Sequence, residues 1–463
     1  MPERIAIFGG SFNPPHLSHL EAVKTLAASN RFDEVIVVPC GPRPDKATTN
    51  DIEPIHRAAM ADMTFGDIAN VRVDLFDLEK DCFTRTRQLE TRYGAYGDLW
   101  HVIGTDLIAG GAYGQSQIHR IWENPERTWN ELKFAVLERP GYTCDAVDYP
   151  PQSIRVESTF VGASSDIRDM VFRREDISRH VLPRVGQYID RYNLYRGVAP
   201  PRKTSLAIHS PRMYLEIDGK NLLAHRLAEQ LESFAVDDIN EANCIVPIGG
   251  DGTMLGAITR FARHRLPFVG INAGHRGYLL NEPEVLENPE AFFSNLAVYH
   301  LSQLAVAMSR MNGSVVNACA FNDAWVERCS LQSAWLKLTV NDKVRIPKMI
   351  ADGVLVATPQ GSTAYARAMG AKTLDTESGE LVVVGNNIAF PIDYRLAVQH
   401  RFSSRVTIES LDPIKRSVAA VVDGIGHGIV QAMTVTASRS SSVELAFAPS
   451  KDMSEKRAAD AYP

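Results

Sequence analysis

At 463 residues, with 45% hydrophobic and 22% charged side chains, the chain exceeds one ordinary core and predicts two to three domains of roughly 100 to 200 residues each, two being the working count. A net charge of −6 without blocks of like charge excludes a nucleic-acid surface built from clustered Lys and Arg, and no apolar run reaches the roughly 18 residues of a membrane span. The start, MPERIAIFGG, has neither the basic region nor the long apolar stretch of a signal peptide, so a cytoplasmic location is expected. The six cysteines, Cys40, Cys82, Cys144, Cys244, Cys319 and Cys329, form no C-x-x-C pair and read as reduced, mostly buried thiols.

The first element is IAIFGGSFNPPHLSH, Ile5 to His19. A strand ending in Gly9 and Gly10 allows a sharp turn that a phosphate can approach closely. Pro14 and Pro15 suit the start of a helix, whose open N–H groups and dipole favour an anion. His16 and His19, one turn apart, would face that anion together. On its own an H-x-x-H pair also fits a surface or a metal; its position after G-G and P-P favours phosphate.

Next, EVIVVP, VRVDLF, LWHVIG and KFAVLE alternate with amphipathic stretches such as IHRAAMADMTF and TRQLETRYG, which argues for a parallel sheet flanked by helices. This domain, residues 1–197, closes with LPRVGQYIDRYNLYR, where Val185, Tyr188, Ile189 and Tyr192 recur at helical spacing. The segment GVAPPRKTS predicts an extended linker over 198–204. A second α/β unit, residues 205–300, follows with SLAIHS, CIVPIG and LPFVGIN as strands. Within it CIVPIGGDGTML repeats the strand-and-glycine design with Asp251 in place of the histidines. From 301 to 449, AWLKLTVNDKVRI, GELVVVGNNIAF and RVTIESL predict antiparallel strands. Residues 450–463, SKDMSEKRAADAYP, are polar and expected to fray.

The signature G-x-F-x-P-x-H-x-x-H, matched from Gly10 to His19, resembles that of a nucleotidyltransferase family, and within it the nicotinamide or nicotinate mononucleotide adenylyltransferases. PIHRAAM, IGTD with Asp106, Trp122, LERPG, SSDIR with Arg168 and VGQYIDRYNLY follow in that family's order over nearly all of residues 1–196. The resemblance implies a Rossmann-like domain in which a mononucleotide phosphate attacks the α-phosphorus of ATP and pyrophosphate leaves. Positioning and charge neutralisation carry most of such a reaction. It further implies that Gly9, Gly10, Ser11, Phe12, Lys46, Ser164 and Ser165 bind ATP phosphates while His16, His19 and Arg168 stabilise the reacting charge. Asp106 and Trp122 would hold the mononucleotide, Trp122 by stacking on the pyridine; by residue type alone Trp122 equally suits a partly buried core position. Ala163 stands where the family has a further hydroxyl residue.

A G-G-D-G loop by itself fits a plain turn, and it also occurs in lipid and sugar-phosphate kinases. Joined by GINAGHRGYL, AFNDAWVE, ADGVLVATPQGSTAYA and VVDG near Asp423, however, it resembles NAD kinase in motif and order over most of residues 205–447. That resemblance implies an NAD kinase-like α/β subdomain followed by a β-rich subdomain, and transfer of the ATP γ-phosphoryl to the 2′-hydroxyl of the adenosine ribose of NAD. Asp251 would be the base or the orienter of that hydroxyl, help worth about 10² to 10⁴ in rate. Gly249, Gly250, Gly252 and Thr253 would cradle donor phosphates. Asn322 and Asp323 would bind adenine or its ribose, Asp352 the nicotinamide half, and Thr363, Ala364 and Tyr365 would line the same pocket. Mg²⁺ would arrive with ATP rather than in a protein cage. GHRGYL, ARAMGA, and Asp393 with Tyr394 in FPIDYRLAVQH depart from the family's usual residues.

Together these expectations describe a bifunctional α/β enzyme that makes a dinucleotide and then phosphorylates it. Its partners would be ATP, nicotinamide or nicotinate mononucleotide and NAD, without nucleic acid or membrane, in a homo-oligomer. Two alternatives stay open: an N-terminal half serving another phosphate acceptor, of the pantetheine phosphate type, or one half acting as a non-catalytic nucleotide sensor.

Overall fold

The computed structural model describes residues 3–44, 46–138, 144–157, 162–275, 277–391 and 397–460, without the side chains of 457–460. Arg139, Pro140 and Gly141 of LERPG, Arg276 of GHRGYL, and Ile392, Asp393 and Tyr394 therefore lie outside the described residues. The chain divides into two compact units, Met1–Pro201 and Arg202–Pro463.

The first unit is built on six parallel strands, β1 (Arg4–Gly10), β2 (Glu34–Pro39), β3 (Val71–Val73), β4 (Asp98–Gly104), β5 (Phe134–Glu138) and β6 (Ser153–Glu157). Their order is β3-β2-β1-β4-β5-β6. Parallel strands must be apolar on both faces, and alternate residues here serve two cores. Ala6, Val35 and Val37 face one cluster, while Ile5, Ile7 and Ile36 face another with Leu89 and Tyr93. The order reverses between β1 and β4, so a crevice opens at the carboxyl ends of those strands. β6 was absent from the apolar runs because SIRVE is a half-exposed edge strand carrying Arg155 and Glu157.

Helix α1 (Leu17–Ala28) has His16 as its N-cap. Pro14 and Pro15 thus precede the helix instead of forming its first turn, a correction to the expectation above. Leu17 N–H, which proline would have lacked, donates to His180 O at 2.8 Å. In α2 (Pro54–Phe65) a proline does take the first helical position. Helices Ser164–Phe172 and Pro183–Arg191 pack on α2 through Ile167, Val171, Val185, Tyr188 and Ile189, joined by Tyr192.

In the second unit the three parallel strands are Ile271–Asn272, Cys244–Gly249 and Met213–Ile217, in that spatial order. SLAIHS does not join them. Lys203–Leu206 instead pairs antiparallel with Leu296–Ser309, Lys203 opposite Tyr299, so Lys203 and Thr204 belong to this unit and not to the linker. Pro211 separates that strand from MYLEI, which supplies the parallel one. A seven-stranded and a six-stranded antiparallel sheet follow and bury Leu304, Val326, Leu338, Val354, Ile408 and Val435 in one core. AWLKLTVNDKVRI is a hairpin: Asn341 (φ 49°) and Asp342 (φ 61°) are both left-handed between Ala334–Val340 and Lys343–Ala351, the requirement of a two-residue turn matched to strand twist.

The C-terminal segment is not frayed over its described part. Met453–Asp460 is a helix; Met453 is 3% exposed and packs with Leu279, Tyr299 and Phe447. Asp452 accepts Lys203 Nζ at 2.5 Å, and Ser454 Oγ lies 3.1 Å from Tyr299 Oη. One apolar anchor in a polar helix leaves almost no compositional trace. All six cysteines are free, but only Cys40 and Cys244 are buried; Cys319 and Cys329 are exposed, against the expectation of mostly buried thiols. Cys319 points outward from the edge strand Val315–Ala320. Among the described residues no helix is long and apolar enough to cross a membrane.

Met453→Ala is expected to lower the stability of the second unit by about 2 to 4 kcal/mol, the cost of truncating a buried methionine. Urea unfolding followed by fluorescence measures this, and a midpoint equal to wild type would return the segment to a loose tail.

Candidate active sites

β1 ends at Gly9 and Gly10, which line a cavity of about 400 Å³ together with Arg43, Phe83, Ile103 and Trp122. A Cβ on Gly9 would meet nothing within 4 Å, so the backbone there faces open space. The turn that follows is fixed by Phe12, left-handed at φ 42°, whose ring packs edge-on against Phe65 at 5.3 Å and His19 at 5.0 Å. The His16 and His19 rings lie 3.7 Å apart. His19 Nδ1 accepts the His16 backbone N–H at 3.2 Å, which places the proton of a neutral His19 ring on Nε2.

A residue the sequence reading passed over organises this turn. Arg57, 1% exposed on α2, donates to Ser11 O and Cys40 O at 2.6 Å each and to Thr49 O at 3.2 Å. It therefore ties the ends of β1 and β2 to the loop that carries Lys46, whose Nζ sits 3.1 Å from Ser11 Oγ. Asn13 extends the same knot: its Nδ2 donates to Thr48 O, its carbonyl accepts Arg168 Nη1, and its Oδ1 accepts Tyr195 Oη, all at 2.7 Å. Ser164 Oγ donates to Pro14 O at 2.9 Å, whereas Ser165 turns to Asp166 at 3.3 Å. Ser11, His16, His19, Lys46, Ser164 and Arg168 thus converge on one turn. The sequence signal for Arg57 was a cation within PIHRAAM, among Ile55, Ala58, Ala59 and Met60.

The electrostatics of this turn are positive. Burial holds Lys46 below the ordinary lysine value, followed by the neighbouring Arg43; Cys40 opposes, and Arg168 and Arg57 add to the depression. An arriving anion would relieve that repulsion. Asp51 faces Arg168 at 3.6 Å. Asp106 lies in the short turn Thr105–Leu107 directly after β4, beside Leu107 of the cavity wall. Trp122 is half-buried, lines the cavity and lies 6.4 Å from Phe134, compatible with both roles considered for it.

In the second unit the central parallel strand ends at Gly249 and a helix, Asp251–Phe261, starts with Asp251 as its first residue. Asp251 Oδ1 accepts Leu279 N–H at 3.0 Å and Oδ2 accepts Tyr278 N–H at 3.1 Å. Burial pushes its pKa above the ordinary carboxylate value, opposed by the Leu279 hydrogen bond and the charge of Lys456. A carboxylate so tuned is a better proton acceptor near neutral pH than an exposed one. A Cβ on Gly249 would collide with Thr253 Oγ1, while at Gly250 and Gly252 it would meet nothing within 4 Å. The first glycine lets the helix close on the strand; the other two leave the backbone open to a phosphate.

Phe321, fully buried, packs with Met254 of that helix and with Leu279, and so brings the next residues, Asn322 and Asp323, to the same region. Their turn is held by Asp423, which accepts N–H groups from Phe321, Asn322 and Asp323 at 2.6, 2.8 and 3.1 Å. A Cβ on Gly361 would collide with Asn322 O, so only glycine lets the TPQGSTAY loop lie on this turn. Thr358 Oγ1 and Gln360 Nε2 fasten it to Phe321 O at 2.7 and 2.9 Å. Thr363, Ala364 and Tyr365 follow on that loop, the Tyr365 ring packing edge-on against Trp325 at 5.2 Å, and Arg367 Nη1 reaches Tyr278 Oη at 3.3 Å. Among the described residues the buried Asn322 Oδ1 has no hydrogen-bond partner, the condition of an acceptor that a ligand's donor would satisfy.

Asp352 is not gathered with these residues. The strand Asp323–Arg328 pairs antiparallel with Gly353–Ala357, which puts Asp352 at the opposite end, about 17 Å of strand away from Asp323. There its carboxylate binds Arg328 Nε at 2.5 Å and Asn387 Nδ2 at 2.9 Å. Among the described residues no three His, Cys, Asp or Glu side chains cluster as metal ligands.

Residues 198–299 match the ATP-NAD kinase N-terminal domain. The NAD kinase of Brucella suis is 31% identical over 248 residues, 53% of this chain and 93% of that protein. The chain belongs to the NAD kinase family. Residues 7–178 match the cytidylyltransferase-like family, so a nucleotidyltransferase domain precedes the NAD kinase domain. Two solved NAD kinase-type structures align at 20% identity and TM-score 0.41: a yeast NADH kinase complexed with NADH, over 44% of this chain and 63% of that one, and an Archaeoglobus fulgidus NAD kinase in complex with ATP, over 51% and 93%.

The Asp323–Asp423 pair of the NAD kinase domain makes stability pH-dependent. Burial and the neighbouring Asp423 push Asp323 from 3.8 up to about 7; Asp423 is also raised by burial, against three backbone hydrogen bonds that favour its charge. The charge therefore stays on Asp423 while Asp323 holds a proton. Because the folded state keeps a proton that the unfolded chain releases, this stabilisation is full at low pH and is lost as pH rises through about 7. Urea midpoints should fall between pH 5 and 8 for wild type and fall less for Asp323→Asn; equal slopes would contradict the assignment.

Proposed function

We propose that the chain is a bifunctional enzyme of NAD(P) synthesis. The first unit transfers adenylyl from ATP to nicotinamide or nicotinate mononucleotide, and the second transfers the γ-phosphoryl of ATP to the adenosine 2′-hydroxyl of NAD. The observation that carries the kinase reading is Asp251, a carboxylate fixed by two backbone N–H groups beside open glycine backbone. There it takes the proton of the 2′-hydroxyl as that oxygen attacks the γ-phosphorus, and ADP leaves. Gly250 and Gly252 accommodate the donor phosphates, Asn322 Oδ1 accepts from the adenine amino group, and Asp323 meets its ribose.

In the first unit the mononucleotide phosphate attacks the α-phosphorus and pyrophosphate departs without a covalent enzyme intermediate. His16, His19, Lys46 and Arg168 neutralise the charge that accumulates, and the Arg57 knot keeps them in place so that no reorganisation is needed as the reaction proceeds. The mononucleotide occupies the cavity beside Trp122. Magnesium enters bound to the ATP phosphates.

Asp251→Asn should reduce NADP formation about 10² to 10⁴-fold and leave dinucleotide synthesis at the wild-type rate. His19→Ala should do the converse. Separate steady-state assays of the two reactions check both; parallel loss of both activities in either variant would show that the sites are not independent, and a half that binds nucleotide without turnover would be a sensor.

A further inference from the structure

The loop that fixes Asp251 is itself held from the far end of the sequence. Lys456, on the helix Met453–Asp460, donates from Nζ to Gly277 O at 2.7 Å and to Leu280 O. Those carbonyls flank Tyr278 and Leu279, the two residues whose N–H groups hold the Asp251 carboxylate. The lysine side chain is 15% exposed. Its helix is held further by Met453, which packs with Leu279 of the loop and with Tyr299 and Phe447, and, just before its start, by the Lys203–Asp452 ion pair.

We propose that Lys456 is a positioning residue of the kinase reaction: it clamps the Gly277–Leu280 loop so that the loop's N–H groups present Asp251 to the ribose hydroxyl. The geometry separates two effects. The hydrogen bonds to Gly277 and Leu280 hold the loop's shape, on which the direction of the Asp251 carboxylate depends. The ammonium also acts on Asp251 through space and lowers its proton affinity. The other charges facing Lys456 are Glu282, at 3.9 Å, and Lys451; Glu282 partly offsets the ammonium and Lys451 opposes it. Neither replaces the two carbonyl contacts. A helix that composition marks as a polar tail would thus complete the catalytic constellation.

This inference rests on Asp251 being the base, so Asp251→Asn is the control in the same experiment. In full-length protein, Lys456→Met is expected to lower kcat for NADP formation about 10- to 100-fold, the scale of a misplaced catalytic group, with KM for NAD and ATP within about threefold of wild type. The acid limb of its pH profile should move up by about half a unit or more, since a cation that favoured the carboxylate is gone. Lys456→Arg, which keeps the charge and two or more donors, should leave the limb at the wild-type position. Dinucleotide synthesis should be unaffected in both variants. Wild-type kcat and an unmoved limb in Lys456→Met would overturn the proposal, as would equal shifts in the Met and Arg variants. If Lys456→Met does not fold, Lys456→Gln, which retains two N–H donors without charge, carries the same limb measurement. Loss of the base assignment shows separately, as wild-type NADP formation by Asp251→Asn.

Discussion

A carboxylate at the first position of a helix, gripped by two backbone N–H groups, is the constraint around which the second unit is arranged. Asp251 gains from the helix dipole and from Tyr278 and Leu279, and loses more from burial, so its pKa rises. Everything nearby serves to make that compromise hold. Gly249 brings the helix against its strand, Phe321 ties the Asn322 turn to the same core, and Gly361 lets a second loop rest on that turn. Gly249 and Gly361 are each required by a close approach.

The first unit reaches a comparable end by other means. There cations are gathered, with Lys46 held below its ordinary value and Arg168 on the carbonyl of Asn13 and 3.6 Å from Asp51. Arg57 supplies the cohesion. Burying a guanidinium costs several kcal/mol unless its donors are met, and here three carbonyls from three segments meet them. Walls lined with cations repel one another, and a buried arginine bonded to backbone is a tie that keeps them from spreading apart. On the proposed functions, the buried acid of one unit activates a hydroxyl and the converging cations of the other neutralise a phosphate nucleophile.

Both glycine turns were legible because their cause is local: an apolar strand, two glycines, then helix-forming residues. Parallel strands β1, β2, β4 and β5 and the division near Pro201 follow from the same short-range patterns. What escaped was determined by distant partners. SLAIHS reads as a strand but pairs with Leu296–Ser309, nearly a hundred residues on, instead of with its neighbours. AWLKLTVNDKVRI reads as one strand unless the left-handed preference of Asn341 and Asp342 is weighed against its alternation. Arg57 drew no reading, and Met453 looked like part of a loose tail; only burial marks them out, and burial is a property of the assembled fold. Asp352 shows the reverse case, a residue assigned by motif that the sheet register carries about five residues of strand from the others.

The central claim is that one chain performs both adenylyl and phosphoryl transfer, and product chromatography after mixing full-length protein with Mg-ATP and nicotinamide mononucleotide or its deamido form, in separate tubes, tests it most directly. The account predicts a dinucleotide with release of pyrophosphate, and, from the tube containing the amide, NAD that gives way to NADP. No dinucleotide in either tube, or NAD that accumulates and is never phosphorylated, would contradict it.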